Sequence, residues 1–225
     1  MLRAVIFDLD GTLLDTLEDL ADAMNHVLQR RGFPVHPVEA YKGFVGEGIA
    51  KMVERAFPTD ARLEADIRSG IERMREEYAT RWNRKTRPYA GIPELLDVLA
   101  DRRVPMGVLS NKPHAFVRRM VDAYFGSWEF AGVIGESDGR RKPDPAGALE
   151  IRSAMGLPAA QICLLGDTWT DMETARRAGM VPVGALWGFR SEAELERTGA
   201  AALIARPGEL LDLFEPASGA AGGMR

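Results

Sequence analysis

The sequence is poor in the residues that mark several classes of function. Of 225 residues only one is a cysteine, Cys163, so an intramolecular disulfide and any multi-cysteine zinc site are excluded. Cys163 lies in an apolar, strand-like run, which suits a buried, inert thiol better than a nucleophile. The three histidines, His26, His36 and His114, share no ligand spacing and are not assigned to a metal. No apolar run approaches the ~18 residues of a membrane span. The chain enters strand-like sequence without a charged leader, an apolar stretch and a cleavage site, so a cytoplasmic protein is expected. Nor is there an excess of positive charge: 29 Lys and Arg against 33 Asp and Glu leave −4, which offers no electrostatic case for nucleic acid or a membrane surface as partner. The arginine pairs at 30–31, 102–103, 118–119 and 176–177 fall on expected helices or their ends and read as solvated faces.

What is present is an ordinary globular composition, 46% apolar and 28% charged, long enough for a substantial core or a core with an inserted module. Its organising stretch is Met1–Thr16. Ala4-Val5-Ile6-Phe7 is continuously apolar, as expected of a strand covered on both faces in a parallel sheet. It stops at two acids, Asp8 and Asp10, with Gly11 supplying a turn. Two residues apart on an extended chain, these side chains start from one side. Burying an unpaired carboxylate is costly, and a bound cation would remove that cost. The alternative is a strand-ending turn with both acids in solvent. A calcium loop starting at Asp8 fails, because its twelfth place, which needs Glu, is Asp19 within a helical pattern.

After Thr16, an expected N-cap, Leu17, Leu20, Ala21, Met24, Val27 and Leu28 form a helical stripe ended by Gly32. A short segment Val38–Val45, the loop Gly46-Glu47-Gly48, a helix Ile49–Phe57 and a long polar helix from Ala61 to Asn83 follow. About seventy residues thus lack a convincing strand. From Arg87 onward strands and helices alternate: helix Pro93–Arg102, strand Pro105–Leu109, helix Pro113–Tyr124, strand Gly132–Gly135, helix Pro145–Met155, strand Ile162–Leu165, helix Thr170–Ala178 and strand Val181–Ala185. Ser191 and Glu194 form an expected capping box, Ala201–Ile204 an edge strand and Gly208–Phe214 a helix. The Gly/Ala-rich end from Pro216 has too little apolar bulk to pack and is expected to fray. Alternation of this kind predicts an α/β fold with a parallel sheet, whose ligands bind beyond the carboxyl ends of the strands.

Polar residues fall at those ends. Ser110 and Asn111, ahead of a helix start, can donate to a phosphate oxygen, although Ser-Asn is also a common cap. Lys142, in Arg140-Arg141-Lys142-Pro143-Asp144-Pro145, could offset a phosphate beside clustered carboxylates, or belong to an exposed basic loop. Asp167 ends a strand in Gly166-Asp167-Thr168-Trp169-Thr170-Asp171, and Asp171 stands at a helix start, where a carboxylate is favoured with or without a ligand. With Asp8 and Asp10 these acids supply oxygen ligands suited to Mg²⁺.

Phe7-Asp8-Leu9-Asp10-Gly11-Thr12-Leu13, Ser110-Asn111, Lys142-Pro143-Asp144-Pro145 and Gly166-Asp167 with Asp171 together resemble, in order, the four motifs of the haloacid dehalogenase-like superfamily. The resemblance implies a Rossmann-like core of residues 1–15 and 89–215 with strand order 5-4-1-2-3, a helical cap at 16–88 and a tail at 216–225. It implies Asp8 as nucleophile forming an aspartyl-phosphate, Asp10 as general acid and base, and Mg²⁺ held by the Asp8 carboxylate, the Asp10 carbonyl and Asp167. Asp171 and Thr12 would support this shell, while Ser110, Asn111 and Lys142 would bind the phosphoryl group. The acid at Asp10 disfavours dehalogenase and phosphonatase chemistry.

The helical insertion resembles the cap of the phosphoglycolate phosphatase-like branch. Its Gly46-Glu47-Gly48 would approach a small phosphorylated metabolite, or simply start a helix. Phosphatases of sugar phosphates or pyrophosphate and glucose-phosphate mutases share the layout. A receiver-like signalling module or a non-catalytic phosphate-binding protein are the readings from other classes. Either a monomer or a homodimer fits.

Overall fold

The computed structural model describes residues 1–137 and 139–214; the expected tail at 216–225 lies outside them. Six parallel strands form the central sheet: β1 (Ala4–Phe7), β2 (Met106–Pro113), β3 (Gly132–Glu136), β4 (Ile162–Gly166), β5 (Val181–Ala185) and β6 (Ala202–Ile204), in spatial order β3-β2-β1-β4-β5-β6. The expected order 5-4-1-2-3 is therefore present and extended by one edge strand, β6. In the centre, Val5 and Phe7 of β1 pair with Met106 and Val108 on one side and with Cys163 and Leu165 on the other.

Every residue of β1 is buried because both faces of the sheet are covered. Val5 and Phe7 pack with Val108, Cys163 and Leu165 in one apolar cluster, and Ala4 and Ile6 with Leu109, Ile151 and Leu164 in the other. Cys163 is fully buried, as expected, and burial pushes its thiol up to about 12.

The helices are α1 (Leu17–Arg30), α2 (Tyr41–Phe44), α3 (Ile49–Ala56), α4 (Glu64–Ala79), α5 (Ile92–Asp101), α6 (His114–Phe125), α7 (Ala146–Met155), α8 (Trp169–Arg177) and α9 (Glu192–Arg197). The first four lie between two chain crossings held together by a short antiparallel pair, Leu14 opposite Pro88 and Asp15 opposite Arg87. The expected stripe of α1 is buried, with Ala23 and Asp19 added to it.

Several boundaries differ from expectation. The 61–83 helix is shorter, because a 3₁₀ turn Thr59–Ala61 precedes it and its chain turns off after Thr80. The segment 38–45 is a 3₁₀ turn, Val38–Ala40, running into α2, and Gly208–Phe214 is a 3₁₀ helix over Pro207–Leu213. At the start of α1 the Thr16 hydroxyl makes no cap bond and donates to Asp10 instead (2.7 Å). Ser191 accepts from the Glu194 N–H, but the Glu194 side chain goes to Arg190, so only half of that capping box forms.

The most consequential difference is β2. It does not end at Leu109 but continues to Pro113, with a register shift between Leu109–Ile134 and Pro113–Glu136. Such a bulge re-aims the side chains it contains, and these are Ser110, Asn111 and Lys112.

Candidate active site

Asp8 follows β1 directly, its N–H donating to the Leu165 carbonyl (2.8 Å). Its carboxylate accepts from the Leu9 N–H at 2.6 Å and from the Lys142 ammonium at 2.7 Å. Beyond Leu9 the chain coils, with the Leu13 and Leu14 N–H groups donating to the Leu9 carbonyl (3.0 and 2.9 Å). Gly11 makes this possible: its φ is +86°, and a Cβ there would strike the Asp167 carboxylate. The coil turns Asp10 away from Asp8. Both oxygens of Asp10 accept from the buried Lys112 ammonium, at 2.7 and 2.9 Å. Thus the two acids, which an extended chain would have aimed together, sit in separate ion pairs.

At the end of β4, Asp167 is fully buried and accepts from the Phe189 N–H at 2.7 Å. The Thr12 hydroxyl reaches it at 3.5 Å. Asp171, in the first turn of α8, accepts from the N–H and hydroxyl of Thr168 (3.0 and 2.6 Å) and from Lys142 at 2.7 Å. Gly166 is required beneath it, since any side chain would overlap the Asp171 carboxylate. Lys142 also donates to the Leu109 carbonyl at 3.0 Å, which uses all three of its N–H bonds.

Asp8, Asp167 and Asp171 each place an oxygen within 4.8 Å of the others. Burial, reinforced by the Asp171 charge and opposed by Lys142, pushes Asp8 up to about 7. Burial also pushes Asp167 well up, with the charges of Asp8 and Asp171 adding to it. For Lys142, burial works against the charge, but Asp171 and Asp8 outweigh it and keep the ammonium protonated. Three buried carboxylates facing one ammonium leave an uncompensated negative charge and an all-oxygen donor set. That combination fits a metal ion of the hard, divalent kind.

A pocket of about 640 Å³, counting its open mouth, lies between this end of the sheet and the helical insertion. Asp8, Asp10, Ser110, Asn111 and Lys112 line it from below, and Gly46, Gly48, Met52, Met74 and Tyr78 from above. Of the expected phosphate ligands, Lys142 is in an ion pair with Asp8, and Ser110 lines the same pocket as Asp8. The Asn111 side chain is committed elsewhere. Its amide donates to the carbonyls of Gly46 (3.1 Å) and Lys142 (3.0 Å) and accepts from the Lys142 N–H (2.7 Å), so the expected donation of that amide to phosphate is replaced by a bracket between loops. Glu47 is likewise drawn off, into an ion pair with Arg55, and does not line the pocket.

Three contributors had not been singled out from sequence. Lys112 pairs with Asp10, Tyr78 of α4 closes the wall beside it, and Arg190 donates to the carbonyls of Lys42 and Val45, tying the loop before Gly46 to the core. The signal for Lys112 was available, as it stands two residues beyond Ser110 at a strand end. Tyr78 and Arg190 carry no local signature.

A family model described as haloacid dehalogenase-like hydrolase matches residues 5–185. A phosphoglycolate phosphatase of Rhodospirillum rubrum is 34% identical over 85% of this chain and 83% of its own length. One of Pseudomonas savastanoi pv. phaseolicola is 32% identical over 83% of this chain and 70% of its own. The crystal structure of a protein from Lactobacillus delbrueckii subsp. bulgaricus superposes with a TM-score of 0.87 at 31% identity, covering 94% of this chain and 97% of that one. With this match, and with the acids and the lysine gathered at one end of the sheet, the chain belongs to the haloacid dehalogenase-like hydrolase family.

Proposed function

We propose that the chain is a phosphatase that hydrolyses a small phosphate monoester through a phosphorylated Asp8. The observation that carries this is the placement of the Asp8 carboxylate at the floor of the pocket, in one cluster with Lys142, Asp167 and Asp171. An Asp8 oxygen forms a bond to phosphorus as the bond from phosphorus to the ester oxygen breaks, and Asp10 delivers a proton to that departing oxygen. Asp10 then takes a proton from the water that attacks phosphorus and releases Asp8. Lys142 and the Ser110 hydroxyl hold the phosphoryl oxygens, with alignment and charge doing most of the catalysis. Thr16 and Lys112 orient Asp10.

Mg²⁺ is the proposed ion, held by Asp8, Asp167 and the Asp10 carbonyl with Asp171 and Thr12 in support, and it would neutralise and align the phosphoryl oxygens. Residues 1–15 and 89–215 serve as the catalytic core and 16–88 as its cap. The short pair at Leu14–Pro88, next to both ends of that insertion, supports this division, and the place of Gly46 and Gly48 in the pocket lining supports a cap loop close to the substrate.

No helix of the described residues is long and apolar enough to cross a membrane, and a cytoplasmic location is proposed. The names of the relatives make 2-phosphoglycolate the first ester to try. Phosphate release should be measured on 2-phosphoglycolate, sugar phosphates, pyrophosphate and nucleotides. Hydrolysis led by 2-phosphoglycolate, abolished by a chelator and restored by Mg²⁺, is expected. Hydrolysis indifferent to the chelator, or none from any compound, would overturn the proposal.

A further inference from the structure

We propose that the wall around the leaving group selects apolar alcohols, so that phosphate esters of alkyl and aryl alcohols are a further substrate class and polyhydroxylated esters are rejected. The inference rests on the phosphatase chemistry proposed above: the same bond from phosphorus to the ester oxygen breaks, and water carries the reaction to inorganic phosphate and a free apolar alcohol.

The pocket is divided in its chemistry. Asp8 and Ser110 line the end assigned to the phosphoryl group. Away from it the wall is built by Leu20 of α1, Val45, Ile49, Met52, Met74 of α4 and Phe116 of α6. Leu20, Val45, Met52 and Met74 are buried, while Ile49 and Phe116 pack against the same apolar cluster. Apolar walls are common in ligand pockets, and the few polar groups set among them decide orientation and specificity. In this wall those groups are already engaged with one another. Lys112 gives two N–H bonds to Asp10, at 2.7 and 2.9 Å, and is also hydrogen-bonded to the Tyr78 hydroxyl. The Asn111 amide is taken by the carbonyls of Gly46 and Lys142. The carbonyls of Val45 and Gly48 accept from Arg190 (2.8 Å) and from the Met52 N–H (3.2 Å). Arg75 belongs to the lining but is exposed, so water serves its guanidinium.

A sugar ring entering this space would give up the water on its hydroxyls and meet methyl, methylene and thioether groups in return, a cost that a hydrocarbon ring of the same shape does not carry. The hydrocarbon ring instead removes apolar surface from water on both sides of the contact. Met52 and Met74 widen the range of shapes accepted, because an unbranched thioether side chain repacks around irregular or aromatic partners. With about 640 Å³, counting its open mouth, the pocket falls in the size range that holds ring-sized ligands. The sugar phosphates among the esters named above are therefore expected to be poor substrates.

The test compares kcat/KM for cyclohexylmethyl phosphate and glucose 6-phosphate. Both carry a six-membered ring one carbon from the ester oxygen, and they differ in the ring oxygen and the hydroxyls. The native enzyme should favour the cyclohexyl ester by about 100-fold or more, the discrimination that a single unmatched hydroxyl brings in an apolar pocket. Met52→Gln and Met74→Gln, which set an amide into the wall at similar length, should each shrink that ratio about three- to tenfold. Partial unfolding of a variant lowers both rates together and leaves the ratio in place. Equal or faster hydrolysis of glucose 6-phosphate, an unchanged ratio in both variants, or release from neither ester while 2-phosphoglycolate is hydrolysed overturns the apolar subsite, and the phosphatase reading survives. Phosphate release from none of the three overturns both.

Discussion

Replacing Asp19 by alanine should destabilise the protein without touching its reactive residues. Asp19 stands in the first turn of α1 and is 1% exposed. Its carboxylate accepts from the Lys85 N–H (3.1 and 3.0 Å), the Thr86 N–H (2.9 Å) and the Thr86 hydroxyl (2.8 Å). These bonds fasten the chain where it returns from the helical insertion, and Tyr124 of α6 holds the next link by donating to the Thr86 carbonyl (3.1 Å). Lys85 is exposed, so water can replace its lost acceptor; Thr86 is buried and cannot be compensated so easily. Each hydrogen bond to a charged group contributes ~1.5–3 kcal/mol, and an orphaned buried donor costs ~1–3 kcal/mol. Relief from burying the carboxylate offsets part of the two Thr86 bonds, which leaves a net loss of about 3 kcal/mol. For a chain of this length each kcal/mol shifts Tm by ~2–4 °C, so Tm should fall by roughly 6–12 °C. Urea unfolding at matched conditions checks the free energy directly. Asp19→Asn should lose nearly as much, because its one amide oxygen cannot serve three donors and its NH₂ group faces them. A loss below about 1 kcal/mol in both variants would refute this account of the junction.

Three further outcomes follow. Asp8→Asn should fold normally and lower kcat by about 10³-fold or more, measured as phosphate release; turnover near the native rate would remove Asp8 as nucleophile. The metal-free protein should become less stable as pH rises from 5 to 8. Asp8, held up to about 7, and Asp167, held well up, bind protons in the native state that ordinary unfolded carboxylates have already lost, and that stabilisation disappears as pH passes through the native values. Added Mg²⁺ should therefore raise Tm more at pH 8 than at pH 5, and thermal scans showing the reverse would sink the assignment of these acids to the cation site. Finally, Cys163, pushed up to about 12 by burial, should resist a thiol reagent at pH 8 until denaturant releases its one equivalent; rapid modification of the native protein would contradict its place in β4.

The sheet was legible because its signal is local. Continuous apolar runs such as Ala4–Phe7 and Ile162–Leu165 are short and bounded by acids and turn residues, which fits strands buried on both faces, and Asp8 and Asp167, which follow them, lie together at one edge of the sheet. The bulge in β2 was not legible, since nothing in Val-Leu-Ser-Asn-Lys distinguishes a strand that stops at Leu109 from one that shifts register and continues. Partner choice was hidden for the same reason. Asn111 looks like a phosphate donor from its position, but its two amide hydrogens go to carbonyls 65 and 31 residues away. Asp19 looks like a common first-turn acid, yet it serves a segment 66 and 67 residues along. Periodicity reports which face a residue occupies, not which backbone group will arrive opposite it.

Those hidden partners also couple the two halves of the pocket. Asn111 reaches the carbonyl of Gly46 from the bulged strand, and Arg190, just past the Phe189 N–H that holds Asp167, reaches the carbonyls of Lys42 and Val45. Three hydrogen bonds from the core thus hold the loop that carries Gly46. At ~0.5–1.5 kcal/mol net for each, they contribute a few kcal/mol to holding the loop in this position. The donors belong to segments adjoining the phosphoryl site, one bracketing Lys142 and the other following the contact to Asp167. A shift of the carboxylate cluster therefore reaches the loop through one intervening residue on each side, Asn111 beside Lys142 and Arg190 beside the contact to Asp167.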